Sequence, residues 1–239
     1  MNNNTSYKER IWELDFLRGL ALILMIYFHV IYDLYAFYNF NLNLDSGLYY
    51  MIGKASAILF ILVSGVSCLL SKSSVKRGAI VLLCAVLVTV VTYFFVPDAV
   101  IVFGILHFFA ISMIISKPFK KLNSILLLIL GTAIILLSIY FINDIKPASN
   151  ALFPLGIVNT KFTSADYYPL LPWFGVFLYG IALGKIFYPK KKSIFKIKFK
   201  NTPINFLGKH TLLIYMIHQP LISGILYVIN YFFKITVTR

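Results

Sequence analysis

The sequence predicts an all-α, polytopic membrane protein, and three observations carry this prediction. Apolar residues make up 60% of the 239-residue chain and charged residues only 13%, a balance that a water-soluble domain of this size cannot hide in one core. The apolar residues gather in stretches of about 20, the length of a helix that crosses a bilayer. The basic residues gather between alternate stretches. We therefore expect one transmembrane domain over residues 1–239 with seven spans, at 16–38, 48–70, 78–96, 99–116, 124–142, 167–187 and 210–233.

The placement of charged residues predicts the orientation of the spans, because lysine and arginine are enriched in cytoplasmic loops. We expect a cytoplasmic N-terminus and an outer C-terminus. The inner segments then hold most of the basic residues: Lys8, Arg10, Lys72, Lys76, Arg77, Lys117, Lys120, Lys121, Lys190, Lys191, Lys192, Lys196, Lys198, Lys200 and Lys209. The outer segments hold few basic residues and several aspartates: Lys146, Lys161, Lys234, Arg239, Asp45, Asp98, Asp144 and Asp166. Topology and anionic membrane lipids account for the net charge of +14, so no nucleic-acid partner is expected.

Three ionisable residues of the first span lie on nearly one helix face. Arg18 and His29 are eleven residues apart, which separates them by about 16 Å in depth. Asp33 lies one turn beyond His29, where its carboxylate is placed to orient the imidazole. Ionisable groups within a span are costly and usually functional, so this stripe is a candidate site. The plainer alternative for Arg18 is a position at the inner surface, neutralised by Asp15.

The second and fourth spans each add one ionisable residue to this region. Counted from the outer boundary of the spans, Lys54 lies about 9 Å deep, and both His107 and His29 lie about 12 Å deep. Polar groups from three spans at similar depth favour a shared site over histidines that merely bond to a neighbouring helix. A buried ion pair between Asp33 and Lys54, joining two helices, is the alternative that the residues leave open.

Prolines open the sixth span and interrupt the seventh. The block from Asp166 to Trp173 contains two prolines, and His218 is followed by Gln219 and Pro220. A proline within a span frees backbone carbonyls, and such places often line cavities. Asp166, Trp173 and His218 therefore join the candidate site as substrate-binding residues. The alternative for the aromatic residues of the first block is an interfacial aromatic belt.

Four blocks, in order along the chain, resemble the transmembrane acyltransferase superfamily, and in particular its bacterial branch related to heparan-α-glucosaminide N-acetyltransferase. The first runs from Arg10 to Ala21 and leads to His29, with ten residues between Arg18 and His29. The others run over 103–107, 166–175 and 207–220. The combination of four ordered blocks is much more specific than the arginine-to-histidine spacing alone.

The resemblance implies transfer of an acyl group, usually acetyl, from cytoplasmic acyl-CoA to an acceptor on the opposite side of the bilayer, commonly a sugar amine or hydroxyl. It implies acetyl-CoA as co-substrate, no metal, and a multi-pass position in a bacterial cytoplasmic membrane. Under this hypothesis Arg18, Lys76 and Arg77 bind the CoA phosphates at the inner surface. The acceptor identity, the acyl chain length and the choice between a monomer and a homo-oligomer stay open.

The resemblance also implies roles for the polar groups in the outer half of the spans. His29 would act as general base, with Asp33 orienting it and His107 or Lys54 stabilising the oxyanion. The lysosomal relatives place their catalytic histidine further along the chain, toward the first luminal loop. The loop 39–47 holds no histidine here, so His29 is the candidate. Direct transfer and an acetyl-histidine intermediate are both open.

A small transporter or flippase that uses the same buried charges is the competing function. No inverted repeat and no pair of broken helices is visible in the sequence, and a transport path does not account for the stripe from Arg18 to His29. A scaffold without chemistry has little reason to place three ionisable groups at one depth. We therefore expect an acyltransferase.

Overall fold

A computed structural model of the protein describes residues 10–142, 145–196 and 202–234. Across these ranges the chain is helical, and its only β-type pairing is an isolated bridge between Phe103 and Tyr167. Six helices are long and apolar enough to cross a membrane, and α4 is a shorter apolar helix. This confirms the prediction of an all-α, polytopic membrane protein. The α-helices are α1 (Trp12–Tyr38), α2 (Gly47–Leu70), α3 (Ser74–Phe95), α4 (Ile105–Phe119), α5 (Ser124–Leu137), α6 (Leu170–Phe187), α7 (Pro203–Lys209) and α8 (Thr211–Phe233). A π-helical segment, Ser138–Ile142, continues α5 to the length of a span.

Some charged residues that predicted the orientation lie outside the described residues. They are Lys8, Asp144, Lys198, Lys200 and Arg239. The orientation of the termini and the single-domain organisation therefore stay predictions.

The fourth predicted span, 99–116, is wrong at its start. Val100 and Gly104 have extended backbones, and the segment between them pairs with the segment before α6: Ala165 N donates to Val100 O at 3.1 Å and Tyr168 N donates to Phe103 O at 2.9 Å. A backbone committed to another segment cannot also form helical hydrogen bonds, so α4 begins only at Ile105. Its 15 residues span about 22 Å, less than the hydrocarbon thickness of about 30 Å.

The same pairing shifts the start of the sixth span, which the sequence predicts at residue 167, further along the chain. Its helix begins at Leu170, and Leu171 still has an extended backbone there, with φ −101° and ψ 124°. The peptide bond between Leu171 and Pro172 is cis.

The short helix α7 lies in a segment that the sequence had suggested was only a loop. Thr202 caps it by accepting a hydrogen bond from Asn205 N at 3.2 Å, and Pro203 occupies the first helical position, both usual at a helix start. It packs closely on α1 because two glycines face the partner backbone. A Cβ atom on Gly19 would lie 2.0 Å from the carbonyl oxygen of Ile204, and one on Gly208 would overlap the start of α1 in the same way.

The contacts divide the chain into two compact units. Unit 1 is Met1–Phe60 with Phe187–Arg239, and unit 2 is Ile61–Ile186. In unit 2 the second half of α2 packs on α6 with backbones in contact, since a Cβ on Gly65 would lie 2.4 Å from Phe177 O and one on Gly180 would lie 2.3 Å from Leu62 O.

In unit 1, the first half of α2 packs on α1. Ser56 Oγ donates to Ala21 O at 2.9 Å, and the ring of Phe28 lies where a side chain on Gly53 would have to be. Lys54 directly follows Gly53, and His29 directly follows Phe28. The two residues therefore lie on neighbouring turns of α2 and α1.

Candidate active site

The polar residues of α1 and α8 in unit 1 form one cluster, which we call the histidine cluster: His29, Asp33, His218, Gln219 and Ser223. The ring centres of His29 and His218 are 4.8 Å apart. Asp33 lies one turn beyond His29, and Gln219, the residue after His218, donates from Nε2 to its two carboxylate oxygens at 2.8 and 3.0 Å. Ser223 Oγ, about one turn further along α8, donates to it at 3.2 Å. Since the paired residue numbers rise together, α1 and α8 run in the same direction.

The carboxylate of Asp33 is held by α8 and not by its neighbour on α1. Asp33 is 1% exposed, and a carboxylate buried this deeply is costly unless its oxygens are hydrogen-bonded. Gln219 and Ser223 supply those bonds. Throughout the described ranges no hydrogen bond joins Asp33 to His29, so the expected direct His-Asp contact is not seen.

The alternative partner for Asp33 was Lys54. The structure places the Lys54 ammonium 5.4 Å from the centre of the Tyr50 ring, a cation–π contact along the same helix turn. The side chain of Lys54 is exposed, which suits a group that meets a substrate better than one that only joins two helices.

His218 is 6% exposed, and its protonation can be assigned from its neighbours. Its Nδ1 is hydrogen-bonded to the backbone carbonyl oxygen of Tyr215. A carbonyl oxygen only accepts, so Nδ1 carries the proton and a neutral ring keeps its lone pair on Nε2. That Nε2 is buried and has no hydrogen-bond partner among the residues that the structure covers. This buried acceptor belongs to a ring whose aromatic neighbour on α1 is the imidazole of His29.

At the other end of α1, Arg18 is part of a charged group with Arg10 and Asp15. Asp15 accepts from Arg18 at 2.6 Å and from two nitrogens of Arg10 at 3.1 Å. Asp15 therefore neutralises part of the charge on Arg18, as the plainer alternative held. Two guanidinium groups thus share one carboxylate, and the side chain of Arg10 is 62% exposed against 24% for Arg18. Arg10 is thus a more accessible cation that the sequence analysis assigned only to topology.

The segment that follows α6 is tied to the start of α1. The buried carboxylate of Glu13 accepts from Ser193 Oγ at 2.9 Å and from Ile194 N at 2.8 Å. Burial, together with the nearby carboxylate of Glu13, raises the pKa of Tyr188 to about 12. The acidic residues in the first turn of α1 are therefore committed to holding this end of unit 1 together.

In unit 2, Asp166 caps the N-terminus of α4, although it lies 61 residues after Ile105 in the sequence. Its Oδ2 accepts from Ile105 N, the first backbone amide of the helix, at 2.9 Å. A carboxylate at a helix N-terminus satisfies a free amide and interacts favourably with the helix dipole. Burial raises the pKa of Asp166 to about 6, although the hydrogen bond from Ile105 acts in the opposite direction. The contacts of Asp166 show an architectural role.

His107 has the opposite tautomer to His218. Thr89 Oγ1 donates its only proton to Ile101 O at 2.6 Å, so its 3.4 Å contact with His107 Nε2 requires that nitrogen to be the donor. The lone pair then lies on Nδ1, which is buried and has no hydrogen-bond partner within the described part of the chain. The Phe103 ring stacks on this imidazole, with centres 5.7 Å apart.

The predicted site residues therefore fall into two groups. Within unit 1 the structure brings together His29, Asp33 and His218, with Lys54 on the neighbouring helix and Arg18 about three turns from His29 on α1. Unit 2 holds the other five predicted residues: His107, Asp166, Trp173, Lys76 and Arg77. The ring centre of Trp173 is 5.1 Å from that of Tyr168. Lys76 and Arg77 are exposed at the start of α3. The convergence of His29, Lys54 and His107 at one depth stays a prediction.

Sequence reasoning missed Gln219 and Ser223 as members of the cluster. Their spacing carried a signal, because they are four residues apart on one face of a span, as His29 and Asp33 are. Two such polar pairs in two apolar helices predict a polar contact between those helices. A search of the described residues finds no group of three or more His, Cys, Asp or Glu residues placed to hold a metal ion.

Comparison with known proteins adds one finding to this geometry. The family model described as heparan-alpha-glucosaminide N-acetyltransferase, catalytic, matches residues 10–220, which include all of the histidine cluster except Ser223. No curated protein and no solved structure matches the chain. The chain therefore belongs to the catalytic family of heparan-α-glucosaminide N-acetyltransferase, a family of transmembrane acetyltransferases that use acetyl-CoA as donor.

Proposed function

We propose that the protein transfers an acetyl group from cytoplasmic acetyl-CoA to an amino sugar or other glycan on the opposite side of the membrane. Membership of the family supports the donor and the glycan class of acceptor. The observation that supports the site is the 4.8 Å contact between the His29 and His218 rings beside a buried carboxylate. Such groups are costly in apolar helices and are kept there for function.

The reaction needs a base and a donor for the oxyanion. The acceptor's amine or hydroxyl attacks the thioester carbonyl, a C–N or C–O bond forms, and the C–S bond breaks. His29 takes the proton that the nucleophile loses and returns it to the CoA sulfur. It is the partly exposed imidazole of the cluster, whereas His218 is buried.

Lys54 is better suited than His107 to stabilise the oxyanion. The Lys54 ammonium donates hydrogen bonds and carries a positive charge. In neutral His107 the one N–H is bonded to Thr89, and the remaining nitrogen accepts. We therefore assign the donor role to Lys54, on the helix packed against α1.

The donor end of the path is assigned to the cations at the start of α1. Arg18 and Arg10 share one carboxylate, and their guanidinium groups attract the CoA phosphates through charge-assisted hydrogen bonds. In unit 2, Lys76 and Arg77, exposed at the start of α3, are proposed as phosphate-binding residues of that unit. Trp173 is proposed to contact the acceptor, whereas the carboxylate of Asp166 is used at the start of α4.

We further propose a cytoplasmic N-terminus and an outer C-terminus, in a bacterial cytoplasmic membrane. Because α1 and α8 run in the same direction, the chain crosses the membrane an odd number of times from the start of α1 to the end of α8. This supports termini on opposite sides. Thiol labelling of single cysteines at Ser73 and Ser46, from either side of sealed vesicles, tests this. Protection of Ser46→Cys from an outside reagent would contradict it.

The function is tested with purified protein in detergent or nanodiscs. Acetyl-CoA binding is measured by calorimetry, and turnover by release of the free CoA thiol with a panel of amino sugars. We expect His29→Ala to lower kcat by about 10²- to 10⁴-fold while acetyl-CoA still binds. His210→Ala is the matched control, because His210 is an exposed histidine of the same unit.

The wild-type protein and the control decide the outcome. His210→Ala should behave like the wild type. If the wild type neither binds nor turns over acetyl-CoA, or if His29→Ala matches it, the proposed function is wrong.

A further inference from the structure

Among the residues that the structure describes, none gives the ring of His29 the hydrogen bond that a catalytic imidazole needs. A neutral imidazole acts as base only through the nitrogen that carries no proton, and a hydrogen bond at the other nitrogen selects which one that is. Asp33 does not supply this bond, because its carboxylate accepts from Gln219 and Ser223. Over residues 10–142, 145–196 and 202–234, His29 makes no hydrogen bond with its ring nitrogens.

His218 offers the matching half of such a bond. Its Nδ1 is held as a donor by the Tyr215 carbonyl, so its buried Nε2 is a lone pair without a partner in the described structure. Two imidazoles joined by an N–H···N bond of about 3 Å have ring centres roughly 5 Å apart, and the two rings are 4.8 Å apart. The separation of the two rings is therefore compatible with such a bond.

We infer that His218 is the positioning residue of the proposed acetyl transfer and accepts, at Nε2, the hydrogen bond that fixes the tautomer of His29. This inference rests on the proposed function. With one nitrogen of His29 bonded to His218, the other nitrogen presents its lone pair to the acceptor. When His29 takes up the proton of the nucleophile, Nε2 of His218 stabilises the imidazolium, and no proton has to move to His218. The role expected of Asp33 thus falls to His218.

Asp33 acts one step further back in this arrangement. Pro220 lacks an N–H and cannot bond to the carbonyl four residues earlier, so α8 is weakened just after His218. The bonds from Gln219 and Ser223 to Asp33 lie on either side of that proline and hold this turn against α1. The carboxylate therefore keeps Nε2 of His218 directed at His29.

Two substitutions separate this role from simple packing. His218→Phe keeps a ring and removes the lone pair, while His218→Gln keeps a side-chain oxygen that accepts a hydrogen bond. We expect His218→Phe to lower kcat by about 10²- to 10⁴-fold, the range for loss of a tautomer-setting partner or of the base itself. His218→Gln should retain at least a tenth of the wild-type kcat, and both should leave the KM for acetyl-CoA within about twofold. Equal losses in the two variants, or none in either, overturn the inference.

Nitrogen NMR of the wild-type protein gives a readout that does not depend on the folding of a variant. With ¹⁵N-labelled histidine in nanodiscs, we expect His218 to show a protonated Nδ1 and an unprotonated Nε2 at pH 7, assigned by the signals that His218→Gln removes. A protonated Nε2 overturns the inference. If instead the wild type has no acetyl-CoA turnover, the proposed function fails, while the tautomer of His218 is still decided by the spectrum.

Discussion

His218 in unit 1 and His107 in unit 2 are alike in sequence context and unlike in surroundings. Both lie on apolar helices, both are at most 9% exposed, and each uses one ring nitrogen for a hydrogen bond. Next to His218 lie a second imidazole and a buried carboxylate bound across two helices. Next to His107 lie a stacked phenylalanine and a threonine hydroxyl. A histidine in a span is therefore not enough to indicate chemistry, which depends on what the adjacent helix presents.

The aspartates of the two units show the same contrast. Asp33 joins side chains of α1 and α8 beside the paired rings, whereas Asp166 closes the first turn of α4. Loss of a charge should thus affect catalysis in unit 1 and stability in unit 2.

The largest contrast is expected between His29→Gln and His107→Gln. Glutamine cannot act as a base, so kcat should fall by about 10²- to 10⁴-fold at position 29. At position 107 the glutamine amide can still donate to Thr89, so this hydrogen bond is kept and Thr89 is not left unsatisfied. We therefore expect less than about a tenfold loss of kcat. Single-turnover rates with saturating acetyl-CoA measure both. Equal losses would restore His107 to the chemical step.

Asp33→Asn should have a smaller effect that combines activity and stability. The amide replaces one accepting oxygen with a donor that faces Gln219 Nε2, so at least one buried hydrogen bond is lost, at a cost of about 1–3 kcal/mol. We expect a lower unfolding temperature in detergent and about a tenfold lower kcat through displacement of His218. Ser223→Ala, which removes only the 3.2 Å bond, is the control with the weaker effect. An unchanged kcat with reduced stability would limit Asp33 to packing.

Arg18→Gln should weaken acetyl-CoA binding and leave the chemical step unchanged. A lost charge-assisted hydrogen bond is worth about 1.5–3 kcal/mol, so we expect the KM for acetyl-CoA to rise by about tenfold or more. Lys76→Gln, at an exposed site in unit 2, should raise KM by about twofold at most, with the difference vanishing at high salt. Steady-state kinetics at two salt concentrations measure this. A fall in kcat at constant KM would reassign Arg18.

The smallest effect concerns the pH dependence of stability. The pKa of Asp166 is raised by burial from 3.8 to about 6, so the folded state binds the proton more tightly than the unfolded state. The contribution of this proton to the free energy of unfolding is fully present below about pH 4, and it is lost as the pH rises through about 6. Asp166→Asn still accepts from Ile105 N and does not ionise. Its unfolding temperature should vary less than that of the wild type between pH 4 and 7, and identical pH slopes would contradict the assignment.

Most of the helices could be predicted because their cause is local. Stretches of about 20 apolar residues cannot be solvated in water and form spans wherever they occur. The exceptions follow from contacts between distant segments. The start of α4 shifts to Ile105 because residues 100–103 pair with residues 165–168, more than 60 positions later in the sequence. The helix α7 is stabilised by close glycine contacts with α1, which is distant from it in the sequence.

The sequence by itself predicted His29, Asp33 and His218 as candidate site residues, because an ionisable side chain in an apolar helix is too costly to keep without a partner or a task. Only the tertiary structure decided which partner each one has. Helical periodicity places His29 and Asp33 on one face of α1, but it does not say which helix meets that face. The approach of α8 assigns Asp33 to Gln219, 186 residues away, and leaves the two imidazoles facing each other. That choice depends on packing over the whole unit, which no local pattern contains.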